Sequence, residues 1–208
     1  SLEEELAKHQ LPLILRRGNS LQVIRDLLED LGSAGFTVKQ VMSSRLYEPE
    51  AVQRDAEVKA ALEKAGVGWQ QFNGSLLVEP EHISNQSGGP YRVFTPFWKA
   101  LRQMPIENVI QVKAGNLEPP PKLTPSLPLS ELGLLPEIPW DHAFLDRWNP
   151  SLDGARQALD TFLQNQVKDY KINRDRPAVD GTSSLSPYLH FGQLGPRQVW
   201  AASHVVNA

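Results

Sequence analysis

The chain has 208 residues, a formal net charge of -3 and a hydrophobic content of 40%, values that are typical of a folded globular protein. Such a charge does not indicate a polycation, although a local basic face could still bind DNA. The chain has no cysteine, which excludes disulfides and thiolate metal sites within it and fits a reducing compartment, so we expect a cytoplasmic protein. Its apolar runs fall short of the roughly 20 residues that a membrane-spanning helix needs. We therefore expect no association with a membrane. His, Asp and Glu residues do not show the spacing of metal ligands, so we also expect no bound metal ion.

The first hundred residues alternate between helical and strand patterns. In chain order they predict a helix over 1–9, a strand over 11–15, a helix from Asn19 or Ser20 to Gly32, a strand over 36–42, a helix over 55–65 and a strand over 67–72. Such alternation favours parallel strands joined by crossover helices. We therefore predict an α/β fold whose partial, doubly wound parallel sheet has three strands in this chain.

The second half is predicted to be helical after a proline-rich stretch. Thr95 followed by Pro96 predicts a capped helix start. Residues 105–150 are rich in proline, which prevents long regular elements, so we interpret them as a linker. An apolar stripe over 154–170 predicts one continuous helix, and short helices start near Ser186 and Gly195. We predict three parts: a partial α/β domain over 1–104, the linker over 105–150 and the start of an all-helical domain over 151–208.

A hydroxyl-rich loop precedes one of these short helices. Thr182, Ser183, Ser184 and Ser186 stand directly before or at a helix that Pro187 helps to start. Unpaired backbone N–H groups and the positive end of the helix dipole meet at such a point, which suits a phosphate group. An ordinary N-cap with a polar approach loop has the same residues, and both interpretations stay open from the pattern alone.

The surroundings of this loop carry a family resemblance. Tyr170, Arg174 and residues 180–192, together with residues 195–200, resemble the DNA photolyase and cryptochrome family in order and spacing. Residues 72–77, 88–98 and 148–150 are similar to segments of the same family. The likeness covers essentially the whole chain. The chain is identified as a member of the family, similar to class I cyclobutane pyrimidine dimer photolyases and truncated at both ends.

The resemblance implies FAD as the cofactor. It implies that Tyr170 packs against the flavin and that the loop holds the FAD diphosphate through backbone amides and hydroxyls. The loop residues implied in this way are Thr182, Ser183, Ser184, Leu185 and Ser186. Ser184 departs from the pattern, since many relatives have a basic residue there. The resemblance implies that Arg174 contacts the DNA backbone and that the catalytic residues lie outside this chain.

The implied activity is light-driven DNA repair. Reduced FAD would donate an electron to a cyclobutane pyrimidine dimer in UV-damaged DNA, split its ring and recover the electron. The alternative is a cryptochrome, a blue-light photoreceptor with the same fold and flavin but no repair activity. The family also uses an antenna pigment, a folate or a deazaflavin, which we leave unassigned. We expect a monomeric parent protein, and we expect this piece alone to bind FAD poorly and to repair nothing.

Overall fold

The structure is a computed structural model that describes residues 2–110 and 126–206, without the side chains of residues 205 and 206. The chain divides into two compact units, which are described separately. Unit 1 is Ser1–Phe72 with Val112–Asp141, and unit 2 is Asn73–Gln111 with His142–Ala208. Residues 73–104 therefore group with the later helices. The predicted domain boundaries at 104 and 150 stay a prediction.

Unit 1 contains three helices and two strands among its described residues. They are α1 (Leu2–Lys8), α2 (Ser20–Ser33), β1 (Gln40–Ser44), α3 (Pro49–Lys64) and β2 (Gly68–Phe72), with a short 3-10 turn at Leu129–Leu132. The Asn19 side chain caps α2 by accepting hydrogen bonds from the N–H groups of Leu21 and Gln22. Pro49 begins α3, because its fixed φ suits the first turn of a helix. The helix therefore starts well before Asp55, the start predicted from the sequence.

The two strands form a parallel sheet with α3 as the crossover. Their register pairs Gln40 with Gly68 at one end and Ser44 with Phe72 at the other. The buried residues Val58 and Leu62 of α3 form the core with Val67, against which residues of both strands pack. This arrangement confirms the predicted α/β class with a partial parallel sheet.

The prediction of a third strand over 11–15 is wrong among the described residues. The Leu15 N–H donates to Ser126 Oγ at 2.7 Å, and the Leu15 carbonyl accepts from the Leu127 N–H at 3.0 Å. An apolar run of strand length says nothing about its pairing partner, and these contacts make no ladder. The predicted strand over 36–42 lies instead at β1, because the Phe36 N–H closes the end of α2 on the Leu31 carbonyl at 2.9 Å.

The described residues of unit 2 are helical, and those after 151 have the helical character predicted for them. Its helices are α4 (Phe94–Leu101), α5 (Leu152–Thr161), α6 (Tyr170–Asn173), α7 (Ser186–His190) and α8 (Pro196–Val206), with 3-10 turns at Pro80–His82, His142–Phe144 and Val167–Asp169. The core consists of six buried side chains: Ala155, Leu159, Leu163, Leu185, Tyr188 and Leu194. The chain that follows α5 is thus packed directly against it.

Two helix predictions for unit 2 need correction. The single helix predicted over 154–170 is interrupted after α5 by a π-helical turn, Phe162–Gln166, which widens the helix and leads through a 3-10 turn into α6. Thr95 does not cap α4, since the N-cap is Val93, without a side-chain hydrogen bond, and Thr95 lies in the first turn.

The proline-rich stretch is described only in part. Residues 111–125, which include Pro119, Pro120 and Pro121, lie outside the described residues. Its described part holds only 3-10 turns as regular elements, which fits the expectation from its prolines. Within the described ranges, no helix combines the length and apolar character needed to cross a membrane. The same ranges contain no group of three or more His, Asp or Glu side chains placed to hold a metal ion.

Candidate anion-binding site

The loop over 182–186, called the phosphate loop below, is anchored by buried residues within unit 2. Leu185 is only 3% exposed and packs in the core that α5 contributes to. Gly181, at the other end, lies so close to Asn173 of α6 that an added Cβ would come within 2.8 Å of its carbonyl carbon and 2.9 Å of its oxygen. Only glycine allows this approach, so the phosphate loop is fixed on both sides.

The backbone of the phosphate loop changes hand between two consecutive residues. Ser184 has a φ of 52°, which is left-handed, and Leu185 follows with right-handed φ and ψ of -89° and -8°. Successive residues of opposite hand form a nest, a concavity in which consecutive N–H groups converge and which binds anions. Among the described residues, the N–H groups of residues 182–186 find no acceptor. The loop therefore offers unused donors to an anion.

The hydroxyl groups of the loop are also unused. The N-cap of α7 is Leu185, without a side-chain hydrogen bond, so the hydroxyls do not cap this helix. Thr182, Ser183, Ser184 and Ser186 make no side-chain hydrogen bond with another described residue. Because α7 has only five residues, its dipole adds little at this end of the loop.

An open cavity of about 430 Å³ lies beside the phosphate loop within unit 2. Thr182, Ser183 and Ser184 line one part of it. The segment before α5, α5 itself, the π-helical turn and the start of the loop supply further lining residues: Arg147, Asn149, Gln157, Thr161, Gln166 and Asp180. The cavity is thus built from segments that are far apart in the sequence.

A side-chain hydrogen bond ties the phosphate loop to the π-helical turn. Gln166 is the last residue of that turn, and its Nε2 donates to the Asp180 carbonyl at 3.0 Å. Gln166 and Arg147, which also line the cavity, were not among the predicted site residues. Their place at the cavity depends on how distant segments pack, for which the local sequence patterns contain no signal.

Of the predicted site residues, Leu185 and Ser186 of the loop do not line the cavity, and neither do the two that lie outside the loop. Tyr170 begins α6, is 37% exposed, and places its ring edge-on to Phe162 with centroids 5.6 Å apart. The Arg174 guanidinium lies 5.9 Å from the centre of the Tyr170 ring and 3.6 Å from the Asp175 carboxylate. Neither residue lines the cavity with the phosphate loop. Their flavin and DNA contacts stay predictions, as does cofactor binding by residues 182–186.

Comparison with known sequences gives consistent matches along the chain. The family model for DNA photolyase matches residues 1–122. A deoxyribodipyrimidine photo-lyase of Agrobacterium fabrum is 36% identical over 204 residues, which are 98% of this chain and 42% of that protein. Cryptochrome-2 of Arabidopsis thaliana is 32% identical over 203 residues, covering 92% of this chain and 31% of that protein. The chain therefore spans less than half of either relative.

Solved structures show the same relationship. The crystal structure of a bacterial class III photolyase from Agrobacterium tumefaciens matches with a TM-score of 0.89 and 36% identity, covering 97% of this chain and 41% of that one. A Synechocystis cryptochrome, 23% identical, shares the fold with a TM-score of 0.81 and covers 99% of this chain and 42% of its own. With a family model matching more than half of its residues, the chain belongs to the DNA photolyase and cryptochrome family.

Proposed function

We propose that the phosphate loop binds the diphosphate of FAD and that the protein encoded by this gene uses reduced FAD to repair cyclobutane pyrimidine dimers in UV-damaged DNA. The observation that carries the proposal is the nest at Ser184 and Leu185, whose N–H groups find no acceptor among the described residues. A dinucleotide diphosphate is rich in acceptor oxygens and negative charge, which such a nest favours.

The residues of this chain bind and orient the cofactor, while FAD supplies the electron-transfer chemistry when bound. Amide N–H groups of residues 182–186 would donate to diphosphate oxygens, and the Thr182, Ser183 and Ser184 hydroxyls line the same cavity. The anchored backbone costs little entropy on binding, because Leu185 is held in the core and Gly181 against Asn173. We propose flavin packing for Tyr170 and a DNA phosphate contact for Arg174, whose side chain is 54% exposed.

Dimer repair has one specific support over photoreception. The relatives named as deoxyribodipyrimidine photo-lyase include one at 36% identity, compared with 32% for Cryptochrome-2. The cryptochrome match covers 92% of the chain, so blue-light photoreception is the second candidate. The class I-like subtype and the antenna pigment stay predictions.

Two experiments test the proposal. In the first, inorganic pyrophosphate is titrated into the 208-residue chain, and backbone amide NMR signals are followed; we expect the signals of residues 182–186 to shift most. Shifts elsewhere, with none in the phosphate loop, would contradict diphosphate binding. In the second, the complete gene product is loaded with FAD, reduced and illuminated with a dimer-containing oligonucleotide. Normal FAD binding without light-dependent repair would favour the photoreceptor.

A further inference from the structure

We propose that Arg147 supplies the positive charge of the anion site and contacts the diphosphate of the bound dinucleotide. This inference rests on the proposed function of the phosphate loop and adds a residue outside it. Arg147 lies in the segment before α5 and lines the same cavity as Thr182, Ser183 and Ser184.

The cavity needs a cation if it is to hold a diphosphate. Among the charged residues that line it, Asp146 and Asp180 are acidic and Arg147 is the one base. The phosphate loop itself has neutral side chains, since Ser184 and its neighbours carry hydroxyls. Amides alone would therefore hold the anion against two nearby carboxylates, and like charges at short range disfavour binding. A guanidinium offsets this repulsion and offers paired donors that match phosphate oxygens.

The Arg147 guanidinium is available for such a contact. It forms no hydrogen bond or ion pair with another described residue, and the residue is exposed. Two other arginines of unit 2, by contrast, are engaged in ion pairs. Arg197 pairs with Glu107 at 2.6 Å, and Arg156 lies 3.3 Å from Asp153.

The backbone that carries Arg147 is fixed relative to the phosphate loop. The Tyr188 hydroxyl, on the helix that follows the loop, donates to the Asn149 carbonyl at 3.0 Å. Trp148 packs edge-on against the Tyr188 ring, with centroids 6.1 Å apart. Gly154 of α5 approaches the same segment so closely that an added Cβ would lie 2.7 Å from the Asn149 Cβ. Because Tyr188 belongs to the buried core, Arg147 is carried by a rigid segment that lines the cavity.

The test is a pyrophosphate titration of the 208-residue chain, followed by the amide NMR signals of residues 182–186 at low and high salt. For R147Q we expect a loss of affinity of roughly fivefold at low salt, which corresponds to a partly exposed ion pair, and a weaker salt dependence. R156Q removes the same charge from an arginine that does not line the cavity, and its affinity should match that of the unmodified chain.

A charge-return variant separates a binding role from a structural one. In R147Q/S184R the positive charge is placed on the phosphate loop itself, and we expect affinity and salt dependence to recover. Unchanged affinity in R147Q, or a loss that S184R does not restore, would overturn the inference while leaving the phosphate loop as the site. If pyrophosphate moves no amide of residues 182–186 in the unmodified chain, the proposed function fails, and the role of Arg147 fails with it.

Discussion

Two polar loops of unit 2 differ in what they do with their backbone N–H groups. In the loop over 85–89, the Asn85 side-chain oxygen accepts from the N–H groups of Ser87 at 2.9 Å and Gly89 at 3.0 Å. In the phosphate loop, the N–H groups of residues 182–186 have no acceptor among the described residues. Both loops are rich in small polar residues, but only the first uses its own side chain to satisfy its N–H groups. Composition alone therefore does not tell whether a polar loop leaves backbone donors unpaired.

The largest effect on stability is expected from a side chain placed where Gly181 approaches Asn173 closely, directly before the phosphate loop. Gly181→Ala places a Cβ within 2.9 Å of the Asn173 carbonyl oxygen, a backbone atom that cannot move aside. We expect a loss of about 3 kcal/mol in the free energy of unfolding, the upper end for overpacking, measured by urea denaturation. Gly195→Ala is the control, because its Cβ would be 3.5 Å from the nearest atom. Equal stability of the two variants would show that the contact with Asn173 does not constrain the loop.

A smaller effect on stability should follow from a substitution that disfavours the left-handed backbone conformation of Ser184. Ser184→Val puts a β-branched residue at a φ of 52°, which L-residues avoid, at a cost of about 2 kcal/mol. Ser184→Gly also removes the hydroxyl but keeps the left-handed conformation accessible. We expect the valine variant to lose pyrophosphate binding in the NMR titration and the glycine variant to retain most of it. Parallel losses in both would assign the binding to the hydroxyl instead of the nest.

The sequence predicted the elements of this region better than its site. The short helix that starts at Ser186 was predicted correctly, whereas the continuous helix predicted over 154–170 is interrupted after Thr161. The left-handed turn at Ser184 was not predictable, because non-glycine residues rarely adopt this conformation and the local sequence contains no signal for it. The π-helical turn was hidden for a similar reason, since its apolar spacing resembles that of a regular helix. The missing strand over 11–15 shows the same limit, because pairing partners are not encoded in a short apolar run.

The loop over 85–89, in which Asn85 accepts hydrogen bonds from the backbone, allows the reverse test: its backbone donors can be freed by a substitution. Asn85→Ala removes the acceptor that organises Ser87 and Gly89, and we expect a loss of about 1 kcal/mol in the free energy of unfolding, as for other lost local hydrogen bonds. Pyrophosphate affinity at the phosphate loop should remain unchanged. If the freed amides of Ser87 and Gly89 began to bind pyrophosphate as tightly as residues 182–186, unsatisfied donors would be sufficient for binding, and the nest geometry would have no special role.

The smallest effect should come from the hydrogen bond between Gln166 and the Asp180 carbonyl. Gln166→Met keeps the length of the side chain but removes the Nε2 donor, so the Asp180 carbonyl loses its partner at 3.0 Å. We expect a cost of about 0.5 kcal/mol in stability, because this bond is exposed to water. Lower NMR order parameters of the backbone of residues 182–186 should accompany it, since the segment directly before the loop is loosened. Gln157→Met is the matched control, because Gln157 lines the same cavity and makes no side-chain hydrogen bond with another described residue. If both variants keep the same order parameters, the loop is ordered by Leu185 and Gly181 without help from the π-helical turn.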